Sequence, residues 1–281
     1  MTASAAFQPL TAQSVQEALS TKAFGRTLRL LEGTSSTNTV AMTMGQEGAL
    51  QGTVVVAETQ TGGRGRSGRQ WHSPPGKNLY CSVILRSMPS HDQLTLWLSW
   101  IPLIASVAIA RAVQTTAALH PSVKWPNDIL VGTRKLGGIL CESAGIGSAH
   151  AFVVVGIGLN VNLLRHEFPE DLRELATSMA IEADRPFDRA ALLAALLLEL
   201  ETRCDAFLAG RHRDMLNEYV LRCCTVGQQI CIELAHGARV EGYADSISPD
   251  GSLRVVQRGR SGRPESESIV NVRAGDVTHV R

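Results

Sequence analysis

The hydrophobic positions between residues 28 and 160 fall into short runs of aliphatic and β-branched residues separated by polar loops. Runs of this length, bounded by Gly, Pro, Asn and Ser, are typical of buried β-strands. They predict strands over residues 28–32, 53–58, 78–87 and 151–155, a strand beginning at Val123, and a hairpin that turns at Gly132 and Thr133. Together these strands predict one sheet.

Three segments carry apolar residues at helical spacing instead. Residues 14–22 predict a short helix. Residues 94–110 are largely apolar and predict a long helix, and we expect Pro102 to stand at its start. A third helix is predicted between Asp188, a preferred N-cap residue, and Gly210, a residue type that commonly ends helices. Strands and helices in this order indicate an α+β fold with a mixed sheet flanked by helices.

The helix over residues 94–110 is apolar enough to raise the question of a membrane, because 17 residues is the lower limit for a spanning segment. Pro102 and three hydroxyl residues interrupt it, and the chain has no second candidate. We therefore expect a buried core helix and no membrane association.

From about residue 226 the pattern changes to short β-type runs separated by turns. Roughly 55 residues of this kind suggest a small barrel. The sequence therefore predicts two domains, a large one over residues 1–222 and a small one over residues 223–281.

Composition limits the partners. The 281 residues carry 27 Lys and Arg against 26 Asp and Glu, a formal net charge of +1. Nucleic-acid binding proteins usually carry a basic excess, so we expect no DNA binding and look for a basic site that is local.

The six cysteines form no CxxC pair or zinc spacing, and the first residues lack a secretory signal. Reduced thiols and the cytoplasm are the expectation.

The hexapeptide RGRSGR occurs twice, at residues 64–69 and 258–263. The first copy lies on a long loop between two predicted strands and is followed by Trp71, so its guanidinium groups and flexible glycines are placed to approach an anionic ligand. The second copy stands beside Glu265 and Glu267 in a stretch rich in Gly, Ser and Pro, which is typical of a solvated loop. Taken alone, the first copy could also be a solvated loop.

Lys124, Asp128 and Lys135 fall on one predicted hairpin, and such charges suit a nucleotide and its metal. Alternatively, Asp128 caps a turn and both lysines are surface charges. The run Ser36-Thr37-Asn38 offers small donors and acceptors, or only caps the following helix. Neither GxGxxG nor the P-loop ending GK[ST] is present, so a nucleotide site must rest on the whole set of residues.

The stretches TSSTN, AETQTGGRGRSGRQW, KWPNDIL, RKLGGIL and GIGLNVN occur in the order and spacing of biotin protein ligases, which the chain resembles from about residue 28 to its end. The resemblance implies a class II synthetase-like catalytic domain followed by a small SH3-like barrel. It also implies ATP and biotin as substrates, Mg²⁺, and a two-step reaction through biotinoyl-5′-AMP to a lysine of a biotin carboxyl carrier domain.

The resemblance also assigns residues. Lys135, Arg64, Arg66 and Asp128 are expected to take part in catalysis, with Asp128 either holding Mg²⁺ or orienting and deprotonating the incoming lysine. The residues expected to contact biotin, ATP or the adenylate are Ser36, Thr37, Asn38, Gln60, Arg64, Gly65, Arg66, Arg69, Trp71, Lys124, Asn127, Lys135, Gly137, Gly138 and Asn160. For Asn127 and Asn160 the alternative is that they only hold turns.

Two positions depart from the pattern of the biotin ligases. Ser67 stands where many relatives have a third arginine. Tyr219 falls near the position where relatives place an adenine-stacking Trp, so it either stacks on adenine or is a core aromatic. Only about 27 residues precede the first matched strand, too few for the DNA-binding domain of some relatives. We expect a monomer or weak homodimer.

The alternative functions are a lipoate or octanoate transfer enzyme of related fold, a nucleic-acid binding module, and a non-catalytic protein that keeps the fold.

Overall fold

Seven strands form one mixed sheet in this computed structural model, which describes residues 9–86, 93–234, 237–257 and 268–279. The strand order is β1-β2-β3-β7-β6-β5-β4, with β1 and β2 parallel and the other neighbours antiparallel. The strands are β1 (Leu28–Leu31), β2 (Val54–Ala57), β3 (Leu79–Leu85), β4 (Ser122–Lys124), β5 (Asp128–Val131), β6 (Arg134–Ala144) and β7 (Phe152–Leu159). The predicted mixed sheet is confirmed.

Helices cover both faces of this sheet, which explains why its central strands are apolar throughout. Along β3, Val83 and Leu85 face the large core beneath α3 (Leu94–Ala117) and α5 (Arg189–Leu208). Ile84 between them faces the smaller core beneath α2 (Thr37–Gln46). The two-residue period of a strand thus divides one hydrophobic run between two cores.

The remaining helices are α1 (Ala12–Ala18), α4 (Met179–Ala183) and α6 (His212–Val220). The helix predicted over residues 14–22 ends early, because the carboxylate of Glu201 accepts hydrogen bonds from the backbone N–H groups of residues 22–24. Helix α5 has the predicted ends, with the Asp188 side chain accepting from two backbone N–H groups. Gly210 follows it at φ +78°.

The expectation that Pro102 opens a helix is wrong, since α3 begins eight residues earlier. The buried indoles of Trp97 and Trp100 pack the first turns into the core and outweigh the local preference of proline. By length and composition α3 could cross a membrane, yet 72% of its most apolar stretch is buried inside the protein, which is the environment of a core helix.

A second, antiparallel sheet follows at the C-terminal end, in the order β11-β10-β9-β8-β12. Its strands are β8 (Gln229–Glu233), β9 (Arg239–Ile247), β10 (Leu253–Gln257), β11 (Ser268–Val272) and β12 (Asp276–His279). The Trp100 and Trp125 indoles hold it against the large sheet, donating to the carbonyls of Pro249 and Gly251 at 3.0 and 3.1 Å. The second RGRSGR copy lies outside the described residues, and the domain boundary at residue 222 stays a prediction.

Candidate functional site: a three-part cavity

A cavity of about 390 Å³ opens against the interior strands β6 and β7 of the large sheet, where they meet the first RGRSGR loop and the start of α2. This volume is in the usual range for a small-molecule site. Along β7 and just beyond it, Asn38 lies against Gly156, Trp71 lies against Gly158, and Asn160 donates to the Thr177 carbonyl. The lining therefore runs from a hydrogen-bonding end through a charged middle to an apolar end. The lining residues are Ser36, Thr37, Asn38, Gln60, Arg64, Gly65, Arg66, Arg69, Gln70, Trp71, His72, Asn127, Asp128, Lys135, Gly138, Ile139, Leu140, Gly156, Ile157, Gly158, Asn160, Phe168, Leu172, Leu175 and Ala176.

Hydroxyl and amide groups form the hydrogen-bonding end. The Thr37 backbone N–H donates to Gln60 Oε1 at 2.9 Å, and Gln60 Nε2 donates to Ser73 Oγ at 3.1 Å. Ser36 occupies the N-cap position of α2, but its side chain makes no capping hydrogen bond. Helix capping therefore does not account for the hydroxyl of Ser36, which lines the cavity.

Asn38 lies at the same end, with its amide already held by the protein. Its Nδ2 donates to the Leu140 carbonyl at 3.2 Å and to Glu142 Oε2 at 2.7 Å, while Oδ1 accepts from Ser82 Oγ at 2.6 Å. A methyl group at Gly156 would lie 2.1 Å from Oδ1. The glycine in β7 is thus required for Asn38 to lie against the strand.

The indole of Trp71 forms one wall of the cavity and rests on two glycines. A Cβ at Gly158 would lie 2.5 Å from the ring, and one at Gly138 would lie 3.3 Å from it. Lys135 Nζ lies 5.5 Å from the ring centroid, a cation–π contact. Trp71 Nε1 is buried without a hydrogen-bond partner, so its N–H group is available to donate to a bound ligand.

The RGRSGR loop forms the charged middle, and each of its arginines has a different anchor. Arg64 pairs with Glu142 at 2.9 Å, Arg69 pairs with Asp276 at 2.6 Å, and Arg66 donates to Asn127 Oδ1 at 2.7 Å. Asp276 belongs to β12, so the C-terminal sheet contacts the loop directly. Ser67 adopts φ +54° and donates to the same Asp276 carboxylate at 3.0 Å.

Electrostatics in the middle are set by burial and by two acids. Burial lowers the pKa of the Arg66 guanidinium, and the nearby carboxylates of Asp276 and Asp128 oppose that shift. Lys135 Nζ lies 2.7 Å from Asp128 Oδ1. Four cations among the described residues therefore line the middle of the cavity, of which Arg64, Arg69 and Lys135 pair with carboxylates and Arg66 is held by the Asn127 amide, an arrangement suited to a phosphate-bearing ligand.

A resident metal site is not present among the described residues, where no three His, Cys, Asp or Glu side chains come together. In the described part of the cavity wall, Asp128 is the one carboxylate. A single carboxylate fits a Mg²⁺ ion that arrives bound to nucleotide phosphates, because such ions are commonly held by one or two carboxylates plus the substrate.

The apolar end was missed by the sequence analysis. Phe168, Leu172, Leu175 and Ala176 supply it from the connection between β7 and α4. Backbone pairing holds this connection to β6, since the Lys135 N–H donates to the Leu175 carbonyl at 2.8 Å. The recurring apolar positions in FPEDLRELA are the sequence signal that could have identified it.

Most predicted site residues line the cavity, and two do not. Lys124 ends β4 and lies near His279, whose pKa is lowered by burial and by that lysine. Gly137 packs on β7, where a Cβ would lie 3.0 Å from the Gly158 carbonyl. Tyr219 is fully buried in the large core, so of its two alternatives the structure favours the core aromatic.

The model of the biotin/lipoate A/B protein ligase family matches residues 30–160, which include the hydrogen-bonding end and the loop. Among solved structures, a biotin protein ligase from Aquifex aeolicus in complex with biotin and ATP superposes with a TM-score of 0.75 at 23% identity, covering 91% of this chain and all of that one. The fold is therefore that of a biotin or lipoate protein ligase.

Curated relatives extend the match to the whole chain. The biotin–[acetyl-CoA-carboxylase] ligase of Mycobacterium tuberculosis is 34% identical over 278 residues, 97% of each chain. The bifunctional ligase/repressor BirA of Bacillus subtilis is 36% identical over 197 residues, which span 69% of this chain but 58% of that protein. The chain belongs to the biotin/lipoate A/B protein ligase family.

Proposed function

We propose that the protein is an ATP-dependent biotin protein ligase. In the first step, a biotin carboxylate oxygen attacks the α-phosphorus of ATP and pyrophosphate leaves, giving biotinoyl-5′-AMP. In the second step, the amine of a carrier lysine attacks the acyl carbon, AMP leaves, and the nitrogen loses a proton. The biotin–[acetyl-CoA-carboxylase] ligases among the relatives support this activity and a carboxylase biotin carrier domain as the acceptor.

The observation that carries the proposal is the order of chemistry along the cavity. Thr37 and Gln60 at one end suit a ureido ring, which has one carbonyl and two N–H groups. Lys135 and Arg66 in the middle suit the carboxylate and phosphate groups that react. Leu172 and Leu175 at the other end suit the flat apolar faces of adenine. The adenylate has these three parts in the same order.

The first step brings two anions together, and the cations of the middle offset their repulsion. Arg66 is held by Asn127, and Lys135 is held by Asp128, so both donors are oriented before the ligands bind. Oriented donors in a partly buried site stabilise the charge that develops at phosphorus. Mg²⁺, when bound to the nucleotide beside Asp128, would neutralise further phosphate charge.

The second step needs the adenylate to be kept from water. The loop over residues 64–69 contacts both β6 through Glu142 and the C-terminal sheet through Asp276, and it thereby covers the charged middle. Gly68 adopts φ +73°, a conformation that favours glycine, and a Cβ at Gly65 would lie 3.3 Å from the Arg69 carbonyl oxygen. We propose that these contacts retain the adenylate until a carrier lysine arrives.

Further features belong to the same proposal. The C-terminal sheet is a small SH3-like barrel, the protein works in the cytoplasm as a monomer or weak homodimer, and it does not bind DNA. The near balance of charge over the whole sequence supports the last point.

Lipoate is the rival substrate, and the hydrogen-bonding end favours biotin over it. A dithiolane ring has neither N–H nor carbonyl groups, so it would offer no partner to the Ser36 hydroxyl or to the second Nε2 hydrogen of Gln60, at a cost in affinity. Purified protein supplied with MgATP and either biotin or lipoate should form only the biotinoyl adenylate, seen by mass. Addition of a biotin carboxyl carrier domain should then give a biotinyl-lysine, and formation of a lipoyl adenylate alone would refute the proposal.

A further inference from the structure

Glu142 connects the loop to the hydrogen-bonding end of the cavity. It lies on β6, next to the cavity rather than on its wall. Its Oε2 atom accepts from Asn38 Nδ2 at 2.7 Å and from Arg64 Nη2 at 2.9 Å. One carboxylate oxygen therefore joins a residue of α2 to the first arginine of the loop.

The contact to Asn38 continues into a chain of hydrogen bonds. The Ser82 hydroxyl donates to Asn38 Oδ1 at 2.6 Å and lies 2.8 Å from Thr37 Oγ1, and the Thr37 backbone N–H donates to Gln60 Oε1 at 2.9 Å. Glu142 thus connects the RGRSGR loop to the hydrogen-bond network of Asn38, Ser82 and Thr37, which fixes the positions of polar groups at the cavity.

The two bonds of Glu142 differ in their surroundings. The Arg64 side chain is 47% exposed, and an ion pair in such a place is weak. Asn38 is 3% exposed, and its Nδ2 group uses both hydrogens. Loss of the acceptor for that buried donor is therefore the more costly change.

We propose that Glu142 is a positioning residue for this site, acting on two groups at once. Through Asn38 it fixes the polar groups that receive the biotin ring, and through Arg64 it holds the loop closed over the adenylate. The inference rests on the proposed function, because it takes biotin as the ligand of the polar end.

Two substitutions separate the two actions. Glu142→Gln keeps an oxygen that can accept from Asn38 but removes the charge that attracts Arg64. We expect release of biotinoyl-AMP from the enzyme to become about threefold faster, the scale of a part-exposed ion pair, with the biotin Kd unchanged. Glu142→Ala removes both contacts, and we expect the biotin Kd to rise about tenfold as well, because a buried donor loses its acceptor.

The experiment measures biotin Kd by calorimetry, adenylate release by a chase with unlabelled biotin, and melting temperature. Asp245→Asn is the matched control, since it removes an ion pair to Arg254 at 3.2 Å on the C-terminal sheet, and all three readouts should stay at wild-type values. A purely structural role predicts lower melting temperatures with wild-type Kd and release rate, and that result would overturn the inference.

Failure of the proposed function gives a different pattern. If the wild-type protein binds biotin but makes no adenylate, the function is wrong, and the biotin Kd of Glu142→Ala still tests the action through Asn38. If the wild-type protein binds no biotin, both proposals fail.

Discussion

The two ends of the cavity are built by different means. At the polar end, side chains are fixed by hydrogen bonds to one another, from Gln60 through Thr37 and Ser82 to Asn38. At the apolar end, the wall comes from a connection with a small cluster of its own, and backbone pairing to β6 holds it in place. The hydrogen-bonding end should bind weakly any ligand that cannot pair with its polar groups. The apolar end should discriminate between ligands mainly by their shape.

Lys135 joins the apolar end to the charged middle. Its backbone pairs with Leu175 and Thr177 of the apolar connection, and its side chain reaches Asp128 in the charged middle. Movement of the apolar wall and placement of the ammonium group are therefore coupled through one residue of β6.

The largest effect is expected at Lys135, in the charged middle of the cavity. Lys135→Ala should lower the rate of adenylate formation by about 10² to 10³, the usual loss on removing one oriented donor from an active site. Pyrophosphate release measures it. Lys22→Ala, a change at an exposed lysine, is the control and should keep the wild-type rate. An unchanged rate in Lys135→Ala would mean that the charged middle is not where the reaction occurs.

The polar end and the loop could be predicted from sequence because short, contiguous motifs carry them. Residues 36–38 and 64–69 each bring several site residues together without any knowledge of the fold. The apolar end has only a weak signal, since the apolar positions of residues 168–176 have the pattern of ordinary core residues until the structure shows them lining a cavity. Likewise, Lys124 pairs directly with Asp128 across the β4–β5 hairpin, yet only Asp128 lines the cavity, and Lys124 lies near His279.

The fold shows the same division between local and tertiary causes. Most strands and α5 follow from local pattern and capping. The ends of α1 and α3 do not, because Glu201 binds the backbone of residues 22–24 and Trp97 packs the turns before Pro102. Contacts between residues far apart in sequence decide these ends, and local propensity does not report them.

A smaller effect is expected at the polar end. Gly156→Ala would place a methyl group 2.1 Å from Asn38 Oδ1, so Asn38 must leave its position against β7. We expect the biotin Kd to rise about tenfold, the scale of an overpacked site, with the ATP KM unchanged. Gly33→Ala is the control, because its methyl would meet only the Thr59 Cγ2 atom at 3.2 Å. Equal losses in both variants would show a general loss of folding rather than an effect on the polar end.

The smallest effect tests the apolar end. Leu175 is 65% exposed, so Leu175→Ala should leave the melting temperature unchanged. Removing its apolar surface from a bound adenine should raise the ATP KM about threefold, because only part of a leucine side chain would be buried by the ligand. The biotin Kd should stay at the wild-type value. Leu221→Ala, at a leucine that is 84% exposed and lies outside the cavity, is the control and should change neither constant. The reverse outcome, a weaker biotin Kd with an unchanged ATP KM, would mean that the ligand lies in the opposite direction along the cavity.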